Sequence, residues 1–219
     1  RLRIDSSGNI GQAVTPSGWA SAQAGDFYAY QIGTGMAIFG RGSGDEDRGG
    51  ISCNYYNTAS AQRYIGNGHA GRIYFEDGNI VFSNAAQNSS GADAAMTLNE
   101  RLKIRADGNV GINQTNPNKA KLHVVADTGS TDIIVAKFRN PQGSADVKAK
   151  IGFAAGYSDT ANDTEGQAYI GALRNGSGNQ AHMVFETYNG SAVGERMRIA
   201  SSGSVLINST SNNGASNAG

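Results

Sequence analysis

Apolar and polar residues alternate with period two in short runs along most of the chain. The clearest run covers residues 101–105, where Leu102 and Ile104 would share one side of an extended strand and the basic residues the other, wet side. An Asp-Gly pair follows at 107–108, and the alternation resumes at 110–112. Asp-Gly between alternating segments favours a type I′ turn. We therefore predict a β-hairpin whose apolar side carries Leu102, Ile104, Val110 and Ile112.

The hairpin sequence occurs three times, at residues 1–10, 101–110 and 196–205. The first and third copies have Ser-Gly in place of Asp-Gly, which is a weaker but compatible turn signal. Recurrence at this distance indicates an array of similar modules. In the third copy the predicted apolar positions are Met197, Ile199, Val205 and Ile207.

The segments between the hairpins also correspond in order. The matching pairs are residues 50–52 with 150–152, 63–66 with 168–171, and 80–82 with 183–185. One Val/Ile-rich segment, residues 129–138, fits either a helix or a strand, and we assign it to a strand. The predicted organisation is a hairpin ending a preceding module at 1–16, a module at 17–116, a second module at 117–212, and the start of a further module at 213–219.

The composition leaves one chain with little material for a core of its own. Hydrophobic residues other than glycine make up 38% of the chain, and 31 of 219 residues are glycine, about twice the usual share. A lone hairpin keeps one face wet, whereas three chains wound about one axis could cover that face and leave no loose strand edge. We expect an all-β, elongated homotrimeric fibre of repeated β-rich modules, with the hairpins packed around a threefold axis.

The string ERLKIRADGNVGINQTNP, followed by AKLHV, resembles a segment that recurs in tail fibre and tail spike proteins of tailed bacteriophages. Residues 1–16, 100–124 and 195–212 carry the resemblance. It implies a β-rich homotrimer on the virion tail, outside the cell, that works with other tail proteins and attaches to a host surface glycan or protein receptor. The third copy departs from the pattern, with Leu206 in place of a glycine and residues 211–212 in place of an x-Pro pair.

Charge and composition point away from several other partners. Basic and acidic residues number 18 each, so no basic surface favours nucleic acid, and no apolar run is long enough for membrane insertion. The three histidines have no metal-ligand spacing, so we expect neither a metal nor a cofactor. His123 is out of phase with its apolar neighbours and should face solvent. Cys53 has no partner and should be a buried, inert thiol.

Two groups of side chains are candidates for contacts outside the chain. Glu100, Arg101, Glu195 and Arg196 recur beside the hairpins, either as interchain salt bridges that fix the register or as solvated surface pairs. Exposed aromatic rings stack on sugars, and the candidates for glycan contact are Trp19, Tyr55 and Tyr56; the alternative is that these aromatics belong to a core.

These observations favour a structural and adhesive segment of a phage tail fibre that supports or mediates host attachment, and we expect no enzymatic activity. One alternative is a tail spike enzyme that cleaves surface polysaccharide. Such an enzyme needs two carboxylates at a fixed separation, and Asp26, Glu76 and Glu186 could supply them. Another alternative is a bacterial trimeric adhesin or other extracellular filament.

Overall fold

The computed structural model describes residues 1–20, 27–42, 47–126, 134–141, 147–154, 167–174 and 180–208. The chain forms two compact units, residues 1–135 (unit 1) and 136–219 (unit 2). No helix occurs in the described part of either unit, which confirms the all-β prediction. Over the same residues there is accordingly no helix with the length and hydropathy needed to cross a membrane.

Short strands separated by turns account for the regular structure of both units. In chain order they are β1 (Leu2–Ile4), β2 (Ile10–Gln12), β3 (Phe27–Ile32), β4 (Met36–Arg41), β5 (Gly49–Cys53), β6 (Tyr56–Asn57), β7 (Gln62–Arg63), β8 (Gly68–Glu76), β9 (Asn79–Asn88), β10 (Asn99–Ile104), β11 (Val110–Ile112), β12 (Leu122–Val124), β13 (Lys148–Ala154), β14 (Gln167–Arg174), β15 (Ala181–Tyr188), β16 (Val193–Ile199) and β17 (Val205–Ile207).

Unit 1 is built on one ten-stranded sheet with the order β1-β2-β3-β4-β5-β8-β9-β10-β11-β12. Its neighbours are antiparallel except at two places, where β2 pairs with β3 and β11 pairs with β12 in parallel. Each parallel pair joins the second strand of a repeated hairpin to the strand that follows it in sequence. The sheet therefore continues across the hairpin instead of ending there.

The three repeated hairpins form as predicted, and their strands pair in one register. The pair next to the turn is Ile4 with Ile10, Ile104 with Val110, and Ile199 with Val205. Because side chains alternate along a strand, the shared register gives all three hairpins the same apolar side.

The predicted type I′ turn is wrong for these hairpins. The N–H of Gly108 donates to the carbonyl of Arg105, the N–H of Arg105 donates to the carbonyl of Asn109, and only Gly108 has a positive φ, of 80°. This is a type I turn closed by a left-handed glycine, so the three-residue loop needs one glycine and not two left-handed residues. A type I′ turn occurs instead at Asp77 and Gly78, whose φ angles are 50° and 74°.

The chain that follows β11 packs directly against a glycine of that strand. A Cβ on Gly111 would lie 2.3 Å from the carbonyl oxygen of Gln114 and 3.0 Å from Cγ of Pro117, and Pro117 is buried. The first copy repeats this arrangement at Gly11 and Pro16. The glycine and the proline of the motif are therefore needed together. The third copy lacks both: Leu206 stands at the glycine position, and residues 211–212 lie outside the described residues.

Replacing Gly111 with alanine should destabilise unit 1 by about 1–3 kcal/mol, because the new methyl group overlaps backbone that cannot move without breaking the turn. Urea unfolding measures the change. Gly18→Ala is the control, since nothing lies within 4 Å of a Cβ there and its φ is not positive. Equal stability of both variants would contradict the proposed coupling of glycine and proline.

Unit 2 contains a five-stranded antiparallel sheet, β13-β14-β15-β16-β17, equivalent to β5, β8, β9, β10 and β11 of unit 1. The predicted match of residues 80–82 with 183–185 is confirmed, because Phe82 and Phe185 occupy the same place. The match of 63–66 with 168–171 is wrong. Ile51 pairs with Ile73 in β8 and Ile151 pairs with Ile170 in β14, so β14 corresponds to β8.

Three other predictions concern the segment before unit 2, the end of the chain and the boundary between the modules. Residues 134–138 do not lie in a strand, so the strand assignment is wrong for them; residues 129–133 are outside the described residues, as are 213–219. Unit 1 ends at residue 135 and not near the predicted boundary at 116–117, because β12 pairs with β11 and stays with the first sheet.

Candidate assembly surface

One side of the unit 1 sheet carries apolar side chains on every strand, and we call it the apolar face of unit 1. Directly paired residues of adjacent strands point to the same side of a sheet, which fixes the membership of this face. No paired strand position on it carries a charge. Its apolar members are Leu2, Ile4, Ile10, Tyr28, Tyr30, Ile32, Met36, Ile38, Ile51, Cys53, Ile73, Phe75, Ile80, Phe82, Leu102, Ile104, Val110, Ile112, Leu122 and Val124.

This apolar face is uncovered within a single chain. None of its members is buried, and Ile4 and Ile38 are 69% and 53% exposed. On the opposite side, many of the alternating positions are buried, among them Ala37, Phe39 and Val81. We call that side the covered face. The chain therefore uses its own loops on one side of the sheet and leaves the other open, which is unusual for a monomeric protein because contiguous exposed apolar patches normally stay small.

Unit 2 repeats the arrangement. Its apolar face consists of Ala149, Ile151, Phe153, Ala168, Ile170, Ala172, Met183, Phe185, Met197, Ile199, Val205 and Ile207. None of these side chains is buried, and Phe153 and Ile207 are 56% and 74% exposed. Both units thus present an open apolar face at equivalent positions.

The structure brings the predicted trimer-core residues together on these faces. In unit 1 Leu102 pairs with Ile112, and Ile104 pairs with Val110. In unit 2 the corresponding pairs are Met197 with Ile207 and Ile199 with Val205. That other chains cover them stays a prediction.

The glutamates beside the hairpins have partners in their own chain. Glu195 forms a two-pronged ion pair with Arg198, with N–O distances of 2.7 and 2.8 Å. Glu100 lies 3.8 Å from the ammonium of Lys103. Lys103 was expected on the wet side of the hairpin, but its side chain is only 17% exposed and lies on the covered face. Interchain salt bridges at these glutamates stay a prediction.

Arg101 and Arg196 are the extra residues of equivalent β-bulges. The pairing of β10 shifts between Glu100 and Leu102, and that of β16 shifts at the same place. A bulge residue has no partner opposite it, so its side chain can lean along the sheet. Arg101 donates through Nε to Asn84, at 2.9 Å, and through a terminal nitrogen to Asn113, at 3.3 Å. These polar groups mark one border of the apolar face.

The aromatic residues considered for glycan contact are core residues. Trp19, Tyr55 and Tyr56 are 3%, 1% and 5% exposed and belong to one cluster on the covered face with Phe27 and Phe39. The centroids of Trp19 and Phe39 are 5.1 Å apart. No ring face is free for a sugar, so the glycan-contact expectation is wrong and the core alternative is right for all three.

Cys53 and His123 also differ from expectation. Cys53 is exposed and not buried, because it is in phase with Ile51 on the apolar face. His123 is half-buried, with Nδ1 out of contact with solvent, because it points to the covered face. The described residues contain no group of three or more side chains that could hold a metal ion.

A buried ion-pair cluster lies on the opposite face of unit 2. Glu186 is 3% exposed; its carboxylate accepts from the ammonium groups of Lys148 and, at 2.8 Å, of Lys150. A Cβ on Gly171 would be 2.7 Å from Cγ of Lys150, so this glycine gives the lysine stem its path across β14. The Lys150 ammonium also lies 4.4 Å from the ring centroid of Tyr169.

The pKa of Glu186 reflects two opposing effects. Burial acts to raise it, since it disfavours the charged form, but the hydrogen bonds and positive charges of the two lysines outweigh burial. The net pKa lies below the ordinary value of 4.5. Of the carboxylates considered for catalysis, Glu186 is thus held in an ion-pair cluster, Glu76 precedes the turn at Asp77, and Asp26 lies outside the described residues.

Comparison of the chain with models of protein families, with curated protein sequences and with solved structures finds no match. The geometry of the apolar face is therefore the basis for a functional conclusion. A long, uncharged, uncovered sheet face is suited to association with another apolar surface.

Proposed function

We propose that the chain is a structural segment of a homotrimeric fibre, in which three copies pack their apolar faces around a common axis. The fibre is of the phage tail fibre type, lies on the virion tail, and supports or mediates attachment to the host surface. The observation that carries the proposal is the contrast between the two sides of the sheet: aromatic residues and loops fill one side, and large aliphatic residues on the other remain open.

The energetic reason is the amount of apolar surface that assembly would remove from water. Full burial of one large aliphatic side chain is worth about 1.5–3 kcal/mol. The two apolar faces hold many such side chains that are about half exposed, among them Ile32, Met36 and Ile51. Burying them in three chains at once would more than offset the entropy of association.

Copies of the same chain are the partner that fits this face best. The face extends over all ten strands of unit 1, and unit 2 repeats it at equivalent positions. A partner must therefore present a similarly long, uncharged apolar surface. A second copy of the chain has such a surface, and a closed ring of copies leaves no apolar face uncovered.

The resemblance of the repeated motif supports the assignment to a tail fibre. The three copies of the motif are the three hairpins of one register, so the resemblance falls on the residues that form the apolar face. An array of modules joined through parallel strand pairs is also suited to a long shaft, because the first strand of a module adds to the sheet that ends the module before it.

The mass of the assembly and the reactivity of Cys53 test the proposal together. Native mass measurement should give three chains of 22.7 kDa each. Cys53 is the only cysteine of the chain and lies on the apolar face, so its alkylation should be slower in the native assembly than in urea by about tenfold or more.

A matched control places the thiol away from the face. In a Cys53→Ser background, Thr115→Cys puts it in an exposed loop after β11, where it should react equally fast in the native and urea-treated protein. A stable monomer, or rapid alkylation of Cys53 in the native protein, would overturn the proposal.

A further inference from the structure

The shape of the apolar face in unit 1 carries information about the direction of the fibre axis. Each strand contributes only two or three positions to this face, which span roughly 7–14 Å along the strand. Ten strands side by side span about 43 Å across the strands. The face is therefore a narrow strip whose long direction is the hydrogen-bonding direction of the sheet.

The strip cannot widen along the strands. On one border it meets the polar group formed by Arg101, Asn84 and Asn113, and on the other it meets the hairpin turns at 77–78 and 105–109. Extra apolar contact is available only across the strands, in the long direction.

The strip also passes the module boundaries without changing side. At the first parallel junction Ile10 pairs with Tyr30, and at the second Val110 pairs with Leu122. All four side chains belong to the apolar face. The hairpin that ends one module and the strand that begins the next therefore share one continuous apolar surface within unit 1.

Three narrow strips cover one another fully only when their long directions run parallel to the axis they share. If the strands instead ran along the axis, only a few strands of each chain would reach it, and the remaining strip would stay in water. We propose that in the trimer the strands of unit 1 lie across the fibre axis, so that the axis follows the hydrogen-bonding direction and each strand adds about 4.8 Å of length.

This inference rests on the proposed function and adds a specific geometry. Threefold symmetry places the same residue of all three copies at one level of the axis, and in the proposed geometry residues on different strands lie at different levels. Ile38 and Leu102 belong to one cross-strand row, linked through Ile51, Ile73 and Phe82, and are four strand spacings apart, which is about 19 Å.

Crosslinking at these two positions tests the geometry. Ile38→Cys and Leu102→Cys are made separately in the Cys53→Ser background, and the two chains, of which one carries a tag, are co-expressed so that mixed trimers form. A short bifunctional thiol reagent should link position 38 to position 38 and position 102 to position 102. Mixed links between 38 and 102 should be absent.

The outcomes separate this inference from the proposed function. Trimers with abundant mixed links, or trimers without same-position links, would overturn the inference and leave the trimer intact. A monomer would contradict the proposed function itself. The unsubstituted protein offers a second test, by electron diffraction or cryo-electron microscopy of the native assembly. The strand spacing of about 4.7–4.9 Å should then appear along the fibre axis. The same spacing at right angles to the axis would overturn the inference.

Discussion

Replacing Ile38 with aspartate should convert the three-chain assembly into single chains. Ile38 is at the centre of β4, is 53% exposed in the single chain, and faces the row of Ile51 and Ile73. In the proposed trimer it is buried, so the variant would place three carboxylates at one level of the core. An uncompensated buried charge costs about 3–5 kcal/mol, which lowers an association constant more than ~10²-fold per chain.

The effect should act on assembly and not on the fold of the chain. Because Ile38 is open in the single chain, the aspartate can remain hydrated there, and circular dichroism should still show β structure. Light scattering or native mass measurement should report 22.7 kDa in place of three times that mass. This position separates assembly from folding better than Ile104, which is half-buried within its own sheet.

Thr115→Asp adds the same charge in an exposed loop and should leave the assembly unchanged. If Ile38→Asp also keeps the mass of three chains, the apolar face is not the contact surface. If both variants dissociate, net charge and not the position of the charge controls assembly.

Replacing Glu186 with glutamine should destabilise unit 2 by about 2 kcal/mol near neutral pH. The change keeps the shape of the side chain and removes the charge that holds Lys148 and Lys150. Hydrogen bonds between charged groups are worth about 1.5–3 kcal/mol, but each lysine is 31% exposed and keeps part of its hydration, so the loss is smaller than for a fully buried pair.

The loss should depend on pH in a defined direction. The pKa of Glu186 is lower in the folded protein than its ordinary value of 4.5, so its contribution to stability is complete above pH 4.5 and disappears as the pH falls through the folded pKa. The difference in unfolding free energy between the wild type and Glu186→Gln should therefore shrink in acid. Urea unfolding at pH 7 and at several values below 4.5 measures it.

Asp77→Asn is the matched control, since it also exchanges a carboxylate for an amide and removes an ion pair, with Arg48, but Asp77 is 64% exposed. Asparagine also tolerates the positive φ of 50° at this position. The control should lose no more than about 1 kcal/mol. A Glu186→Gln variant as stable as wild type at pH 7, or a difference that grows in acid, would show that the cluster does not stabilise unit 2.

The sequence was sufficient for features that depend on neighbouring residues. Alternation around Leu102 and Ile104, with a turn between two runs, determined the hairpin pairing and the membership of its apolar side. The turn type was missed because Asp-Gly serves both a two-residue loop and the last two positions of a three-residue loop. The position of Cys53 on the apolar side could have been predicted, because it lies two residues after Ile51 in the same strand.

Features that depend on contacts between segments far apart in the sequence could not be predicted from alternation. Which side of the sheet the chain covers is decided by Trp19, Tyr55 and Tyr64, which come from irregular segments between strands, where no alternation can be followed. The ion-pair cluster at Glu186 requires β13, β14 and β15 to be adjacent. The role of Gly171, which leaves room for the aliphatic stem of Lys150 to cross β14, also depends on that adjacency. Alternation of apolar and polar residues predicts that a strand has two different sides, but it does not predict which side other segments of the chain cover.

The common register of the hairpins at 1–12 and 101–112 has a consequence for how such chains change in length. Two stretches with the same pairing, the same left-handed glycine and the same glycine–proline contact are interchangeable joints. A genetic exchange between the segments that encode them would add or remove the intervening residues while every strand at the joint kept its partner. The fold therefore tolerates whole-module duplication and deletion, and changes in the length of the protein would occur in steps of one module.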